Sequence, residues 1–183
     1  MLGDIRKVVF TERAIRDRVG ELAAEITETY SHCEDGITIV TVLAGSLIFL
    51  SDLIRLLPMK MRVGVIGVSS YAGRPTASRG ARLEHVSLPD LRNRSVLIVD
   101  DIVETGRTLR LVQNEVRRLQ PRSVQTAVLL RKASRAPDDV PVDYVGFDVE
   151  DVFVVGYGLD YDGLYRNLPY IGVLRPELYG TEA

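Results

Sequence analysis

Three acids and an adjoining turn are the groups in this chain best suited to chemistry: Asp100, Asp101 and Glu104, with Thr105, Gly106, Arg107 and Thr108. Adjacent carboxylates can bind a divalent cation, hold sugar hydroxyls, or simply cap a helix and meet solvent. An Asp-Asp pair alone favours the last reading. The turn shifts the balance, because it sets hydroxyls, a permissive glycine and backbone N–H groups where a helix begins. A helix start favours an anion, phosphate above all. Negative groups and an anion cradle within one loop suit a phosphorylated sugar.

The elements that must hold these residues follow from the flanking pattern. Val96, Leu97, Ile98 and Val99 precede the acids, and four consecutive aliphatic residues suit a strand buried on both faces of a parallel sheet. Ligands of such sheets collect beyond the carboxyl ends of the strands, where Asp100 and Asp101 fall. After the turn, Leu109, Val112, Val116 and Leu119 form a helical stripe that Pro121 stops. Thr11 is placed to cap an earlier helix whose apolar face is Ile15, Val19, Leu22 and Ile26. Ile37–Leu43 reads as an interior strand ended by Ala44-Gly45-Ser46, and 47–57 as a buried helix closed by Pro58. Further strands are expected at 61–68, 82–86, 123–130, 144–147, 152–157 and 170–174. The polar segment 69–80 has the length of a binding loop or lid, with surface slack as the plain alternative. Alternating strands and helices, without a repeat or linker, imply one α/β domain over 1–183: a Rossmann-like parallel sheet flanked by helices, with a small appended β region.

Composition narrows the function classes. At 183 residues, 46% hydrophobic and 26% charged, the chain can bury a core of its own. A net charge of -2 and a pI near 5.8 argue against a general nucleic-acid surface, so small ligands are expected. Cys33 is the only cysteine, which excludes an internal disulfide and reads as a small buried thiol; His32 and His85 lack ligand spacing. Residues 1–10 alternate charged and apolar residues, unlike a signal peptide. The longest uncharged run, 36–51, is shorter than the ~20 apolar residues a spanning helix needs. A cytoplasmic protein with no membrane contact is the expectation.

Other phosphate loops fail against the sequence. There is no Gly-x-x-x-x-Gly-Lys-Ser/Thr, and Gly156-Tyr157-Gly158 meets Tyr161 where a dinucleotide fingerprint needs its third glycine. The remaining pattern, two acids followed by an apolar-acid-Thr-Gly-x-Thr turn, resembles the phosphoribosyl-diphosphate motif of type I phosphoribosyltransferases. The resemblance extends to the hypoxanthine (guanine) phosphoribosyltransferase branch. Leu43-Ala44-Gly45-Ser46 is similar to its pyrophosphate loop, Ser69-Ser70-Tyr71 to the opening of its lid, and Lys132 follows the Leu129-Leu130 strand. The run from Phe153 to Tyr161, with Arg166, is similar to its purine and metal segment.

That resemblance implies the type I fold with a small hood, and transfer of a phosphoribosyl group to hypoxanthine, and to guanine, in purine salvage. It implies Mg²⁺ as cofactor, phosphoribosyl diphosphate and a 6-oxopurine as partners, and a homodimer or homotetramer. Asp100 and Asp101 would hold the ribose hydroxyls, directly or through metal-bound water, while Thr105, Gly106, Arg107 and Thr108 would hold the 5′-phosphate. Glu104 would take or steer the purine N7 proton. Ala44, Gly45 and Arg166 would bind pyrophosphate, Asp160 would ligate a second Mg²⁺, and Ser69, Ser70 and Tyr71 would belong to the lid. Lys132 would meet the 6-oxo group, Phe153 would stack on the purine, and the Val154 backbone would read its edge. Two positions depart from the pattern: family members often carry Lys where this chain has Ala44, and Asp where it has Glu104. An RNA-binding pyrimidine-operon regulator on the same fold, and an enzyme for another base such as xanthine, are the alternatives. The Phe153–Asp160 segment and the acidic pI favour the purine enzyme.

Overall fold

The computed structural model describes residues 2–69 and 82–179. After a short 3-10 turn at Leu2–Asp4, the chain forms β1 (Ile5–Phe10) and then α1 (Glu12–Tyr30). Thr11 caps that helix as its position suggests, its hydroxyl oxygen accepting the Ala14 N–H at 3.2 Å, an interaction worth about 1 kcal/mol. Ile15, Val19, Leu22 and Ile26 all lie buried on one face. The chain continues through β2 (Ile37–Leu43), α2 (Leu47–Ile54), β3 (Met61–Ser69) and β4 (Arg82–Ser87). Next come β5 (Ser95–Val103), α3 (Arg107–Arg118), β6 (Ser123–Arg131), β7 (Tyr144–Asp148), β8 (Val154–Val155) and β9 (Ile171–Leu174).

Six strands form one sheet in the order β4-β3-β2-β5-β6-β7, parallel except for β4, which runs antiparallel to β3. α1 and α2 cover one face through a core that includes Phe49, Leu53, Leu97, Val99 and Leu129. α3 covers the other, packing Leu109, Val112 and Val116 on Val96, Ile98 and Val128. Val96 to Val99 are all fully buried, as a strand between two helical layers requires, and each such side chain contributes roughly 1.5–3 kcal/mol. From β2 the chain crosses outward to β3, whereas β5 lies on the other side of β2 and leads to β6. The direction of winding therefore reverses between β2 and β5, and their carboxyl ends open the crevice where such sheets bind ligands.

A second, three-stranded antiparallel sheet, β1-β9-β8, stands apart as the hood. Its first strand is not evident in the sequence, because Ile5–Phe10 is largely exposed and shows no clean alternation. Several bounds also shift. The expected 47–57 helix stops at Ile54, yet Leu57 is buried, so its apolar character serves packing and not the helix. The expected 152–157 strand shrinks to Val154–Val155 because Gly156, Tyr157 and Gly158 all take positive φ. Leu119 falls just beyond α3 and is exposed, and Cys33 is half-buried instead of buried. Among the described residues no helix is long and apolar enough to cross a membrane.

Candidate active site

A cleft of about 410 Å³ opens at the switch point between β2 and β5. Its walls are Ala44 and Gly45 after β2, residues 100–108 from the end of β5 into α3, and Asp160 and Arg166 from the hood. Three segments separated by dozens of residues thus meet where the sheet geometry places a ligand. β5 does not end at Val99: it carries the acids as strand residues, with Asp100 paired to Val128 and Val103 to Arg131.

The cradle after the acids is built by conformation. Gly106 takes a left-handed φ of 67°, and a Cβ there would sit 2.9 Å from Pro137 and from Val140, so both backbone and space require glycine. Among the described residues, Thr105 and Gly106 donate their N–H groups to no protein acceptor. The first intrahelical bond runs from Arg110 N–H to Gly106 O, so the opening turn of α3, which lines the cleft, lacks intrahelical acceptors for its N–H groups. Gln113 anchors the helix from below, donating through Nε2 to Thr126 Oγ1 at 3.0 Å and to Pro141 O at 2.7 Å.

Asp100 is buried and Asp101 half-buried. Burial, followed by the neighbouring Asp101 charge, holds the Asp100 carboxyl well above the usual carboxylate range. Burial also raises Asp101, against the pull of the Asp100 hydrogen bond, backbone N–H groups and Arg166. Each accepts a backbone bond from its own strand: Asp100 Oδ1 from Asp101 N–H at 2.9 Å, and Asp101 Oδ1 from Ile102 N–H at 2.7 Å. No group of three or more His, Cys, Asp or Glu side chains converges on a cation position among the described residues. Two carboxylates suit an ion that takes its remaining ligands from phosphate and water, as Mg²⁺ does. Asp160, the expected ligand for a second ion, pairs with Arg166 at 2.8 Å and accepts the Gly163 N–H at 2.8 Å.

The loop after β2 is pressed from both sides. A Cβ on Gly45 would lie 1.6 Å from Asp101 Oδ2, and one on Gly158 would lie 2.1 Å from Gly45 O. Gly45 is therefore sandwiched between an acid of β5 and a glycine of the hood. Beneath the loop, Ser46 and Thr41 are fully buried and share a hydrogen bond at 2.7 Å, and Ser46 Oγ also donates to Val42 O. No ammonium extends from position 44, but the Ala44, Gly45 and Ser46 N–H groups donate to no protein acceptor among the described residues.

Lys132 lies just past β6 with its side chain only 6% exposed, its Nζ 2.6 Å from Glu104 Oε1 and 3.3 Å from Asp151 Oδ1. Arg135 spans the same two acids, 3.5 Å from Glu104 Oε2 and 3.1 Å from Asp151. A solvated loop lysine is thus ruled out. Phe153 lies elsewhere. Its ring stacks on Tyr179 at 5.0 Å and meets Tyr161 edge-on at 5.5 Å, and Val154 is buried in pairing with Val173; like Lys132, neither is among the residues that line the 410 Å³ cleft. Ser69 ends β3, whereas Ser70 and Tyr71 of the expected lid lie outside the described residues.

A family model for the phosphoribosyl transferase domain matches residues 8–162. The hypoxanthine-guanine phosphoribosyltransferase of Dictyostelium discoideum is 38% identical over 177 residues, covering 95% of this chain and 98% of that protein. The protein of the same name from Mycobacterium avium is 40% identical over 181 residues, covering 97% and 89%. The chain belongs to the hypoxanthine-guanine phosphoribosyltransferase family. Within that family, a crystal structure of a hypoxanthine phosphoribosyltransferase from Staphylococcus aureus superposes with a TM-score of 0.89 at 38% identity, covering 98% of this chain and 97% of that one. The family match takes in Gly45, the 100–108 motif, Lys132 and Asp160, and the near full-length relatives extend the likeness past Arg166.

The motif residues of the cleft were legible in the sequence, but their partners were not. Arg135 and Asp151 carry no motif; the offset of Arg135, three residues after Lys132, is the only local hint. Tyr157 and Asp52 join across 105 residues through a hydrogen bond of 2.6 Å, and nothing in their local sequence announces it.

Proposed function

We propose that this chain transfers the phosphoribosyl group of phosphoribosyl diphosphate to a nitrogen of hypoxanthine or guanine, releasing pyrophosphate. One observation carries this reading: a single cleft joins a phosphate cradle at 105–108, the buried Asp100 with the half-buried Asp101, and a backbone loop facing an arginine. In the reaction the bond from the sugar C1 to the pyrophosphate oxygen breaks, a C1–N bond forms, and the purine gives up a proton. Positive charge develops on the sugar as the leaving group departs.

The protein's part is to position and to stabilise charge. The N–H groups at 105–108 hold the 5′-phosphate at the helix start. Asp100 and Asp101 then lie at the ribose, where they fix its hydroxyls and offset the developing charge. The 44–46 N–H groups and Arg166 face the pyrophosphate end, the guanidinium acting as a forked donor. Mg²⁺ held by Asp100 and Asp101 would neutralise the departing pyrophosphate, and Asp160 would serve a second ion by exchanging its Arg166 contact.

At the base, Lys132 is a buried donor with no capacity to accept. A 6-oxo group accepts from it and a 6-amino group does not, which selects hypoxanthine and guanine over adenine. Because Glu104 holds Lys132 on Oε1 and Arg135 on Oε2, an arriving purine inserts beside an assembled ion pair. Glu104 is then in place to receive or steer the N7 proton. Incubation with hypoxanthine, phosphoribosyl diphosphate and Mg²⁺ tests the reading: inosine monophosphate and pyrophosphate should appear in equal amounts. Salt-dependent binding to an RNA leader without turnover would instead support a regulator on this fold.

A further inference from the structure

Tyr157, like Tyr165 with a φ of 73°, is a bulky residue of the hood held in the left-handed region. It has a φ of 50°, between Gly156 at 102° and Gly158 at 101°, and a bulky side chain with a Cβ is rarely found in the left-handed region. The N–H groups of this turn are already used within the hood. Gly156 donates to Leu159 O, Tyr157 to Leu168 O and Gly158 to Arg166 O, at 3.0, 2.8 and 2.9 Å. What the turn achieves is the aim of the phenol, which is buried and donates to Asp52 Oδ2 of α2 at 2.6 Å. Asp52 is itself braced by an ion pair with Arg55 one turn along the helix.

The bond joins two elements at the residues adjoining the cleft. α2 begins immediately after the 44–46 loop, and Gly158, next to Tyr157, lies against the carbonyl of Gly45. Gly158 is also bonded reciprocally to Arg166: its N–H donates to Arg166 O, and Arg166 Nη1 donates to Gly158 O at 2.7 Å. Fixing Tyr157 therefore fixes both groups at the pyrophosphate end of the cleft. In this chain the loop has no lysine at position 44, so the placement of its backbone N–H groups carries the recognition.

We infer that Tyr157 and Asp52 are a positioning pair that seats the hood on the 44–46 loop and sets the affinity for the pyrophosphate end of the donor. The inference rests on the transferase reading of the cleft. Tyr157→Phe keeps the ring and removes only the hydroxyl. The KM for phosphoribosyl diphosphate and the Kd for pyrophosphate with Mg²⁺ should each rise about tenfold, the effect of one hydrogen bond to a charged acceptor. kcat and the KM for hypoxanthine should stay within twofold. A merely structural role would lower the unfolding temperature and move both substrates together. Asp52→Asn, which keeps a neutral acceptor, should lose less affinity than Asp52→Leu, which should match Tyr157→Phe. The double variant Tyr157→Phe/Asp52→Leu should be no worse than either single one. Unchanged pyrophosphate affinity in the single variants, or fully additive losses in the double, would overturn the pairing. The pyrophosphate titration needs no purine, so it decides the pair even if the wild-type chain fails to turn over hypoxanthine, a failure that counts against the transferase reading instead.

Discussion

Gly45→Ala is the smallest change that should dismantle the cleft. The new Cβ would stand 1.6 Å from Asp101 Oδ2 and 2.6 Å from its Cγ, where ordinary contact begins at 3.4 Å. Either the loop or the carboxylate must move by about 1.8 Å to restore van der Waals contact. Neither is free to do so cheaply. The other oxygen of Asp101 is tied to Ile102 N–H, and the loop is backed by Gly158 against the Gly45 carbonyl. The Gly45 backbone is not left-handed, so alanine adds no conformational strain and the contact alone is tested. A displacement of ~1 Å at reacting groups costs about a hundredfold, so kcat/KM for inosine monophosphate formation should fall at least about a hundredfold. That loss corresponds to about 2.7 kcal/mol of transition-state stabilisation. Steady-state kinetics with varied phosphoribosyl diphosphate, beside thermal unfolding to confirm the fold, measure it. An unaltered fold with kcat/KM within threefold of wild type would refute the seating of Asp101 against the loop.

Two further substitutions probe the acids. Burial and the Asp101 charge raise the folded pKa of Asp100 above its ordinary 3.8, so between 3.8 and that raised value the folded state keeps a proton that the unfolded chain releases. Its contribution to stability is present below pH 3.8 and is lost as pH rises through the folded value. Asp100→Asn should therefore raise the unfolding temperature at pH 7 while lowering activity, with the stability gain vanishing as pH falls to about 4; a lower unfolding temperature at pH 7 would contradict the assignment. Glu104→Gln should slow the chemical step roughly a hundredfold with little change in phosphoribosyl-diphosphate affinity, as read by single-turnover kinetics. Equal single-turnover rates for variant and wild type would remove Glu104 from the proton path.

Local signals carried the parts of the fold in which each residue states its own environment. The Val96–Val99 run, the Thr11 cap and the stripe of α3 each depend on periodicity or a single hydrogen bond, and all appear in the structure except Leu119 of the stripe, which lies beyond the helix and is exposed. Long-range pairing escaped the same reasoning. β1 is held by β9 more than 160 residues away, with register Ile5 to Leu174, and its exposed faces supply no alternation to read. The motif at 100–108 was legible because phosphate recognition needs consecutive backbone groups. The Lys132 pairing with Glu104, the sandwich on Gly45 and the Tyr157 bond to Asp52 were not, because each joins residues from different elements whose meeting is decided by topology.

The central claim is that a buried ammonium beside a phosphoribosyl site selects 6-oxopurines. Its most direct test is a base panel, with hypoxanthine, guanine and adenine each supplied at equal concentration with phosphoribosyl diphosphate and Mg²⁺ and the nucleotide products quantified. Inosine and guanosine monophosphates should form, with no adenosine monophosphate. No product from either 6-oxopurine, or adenine used as readily as hypoxanthine, would contradict it.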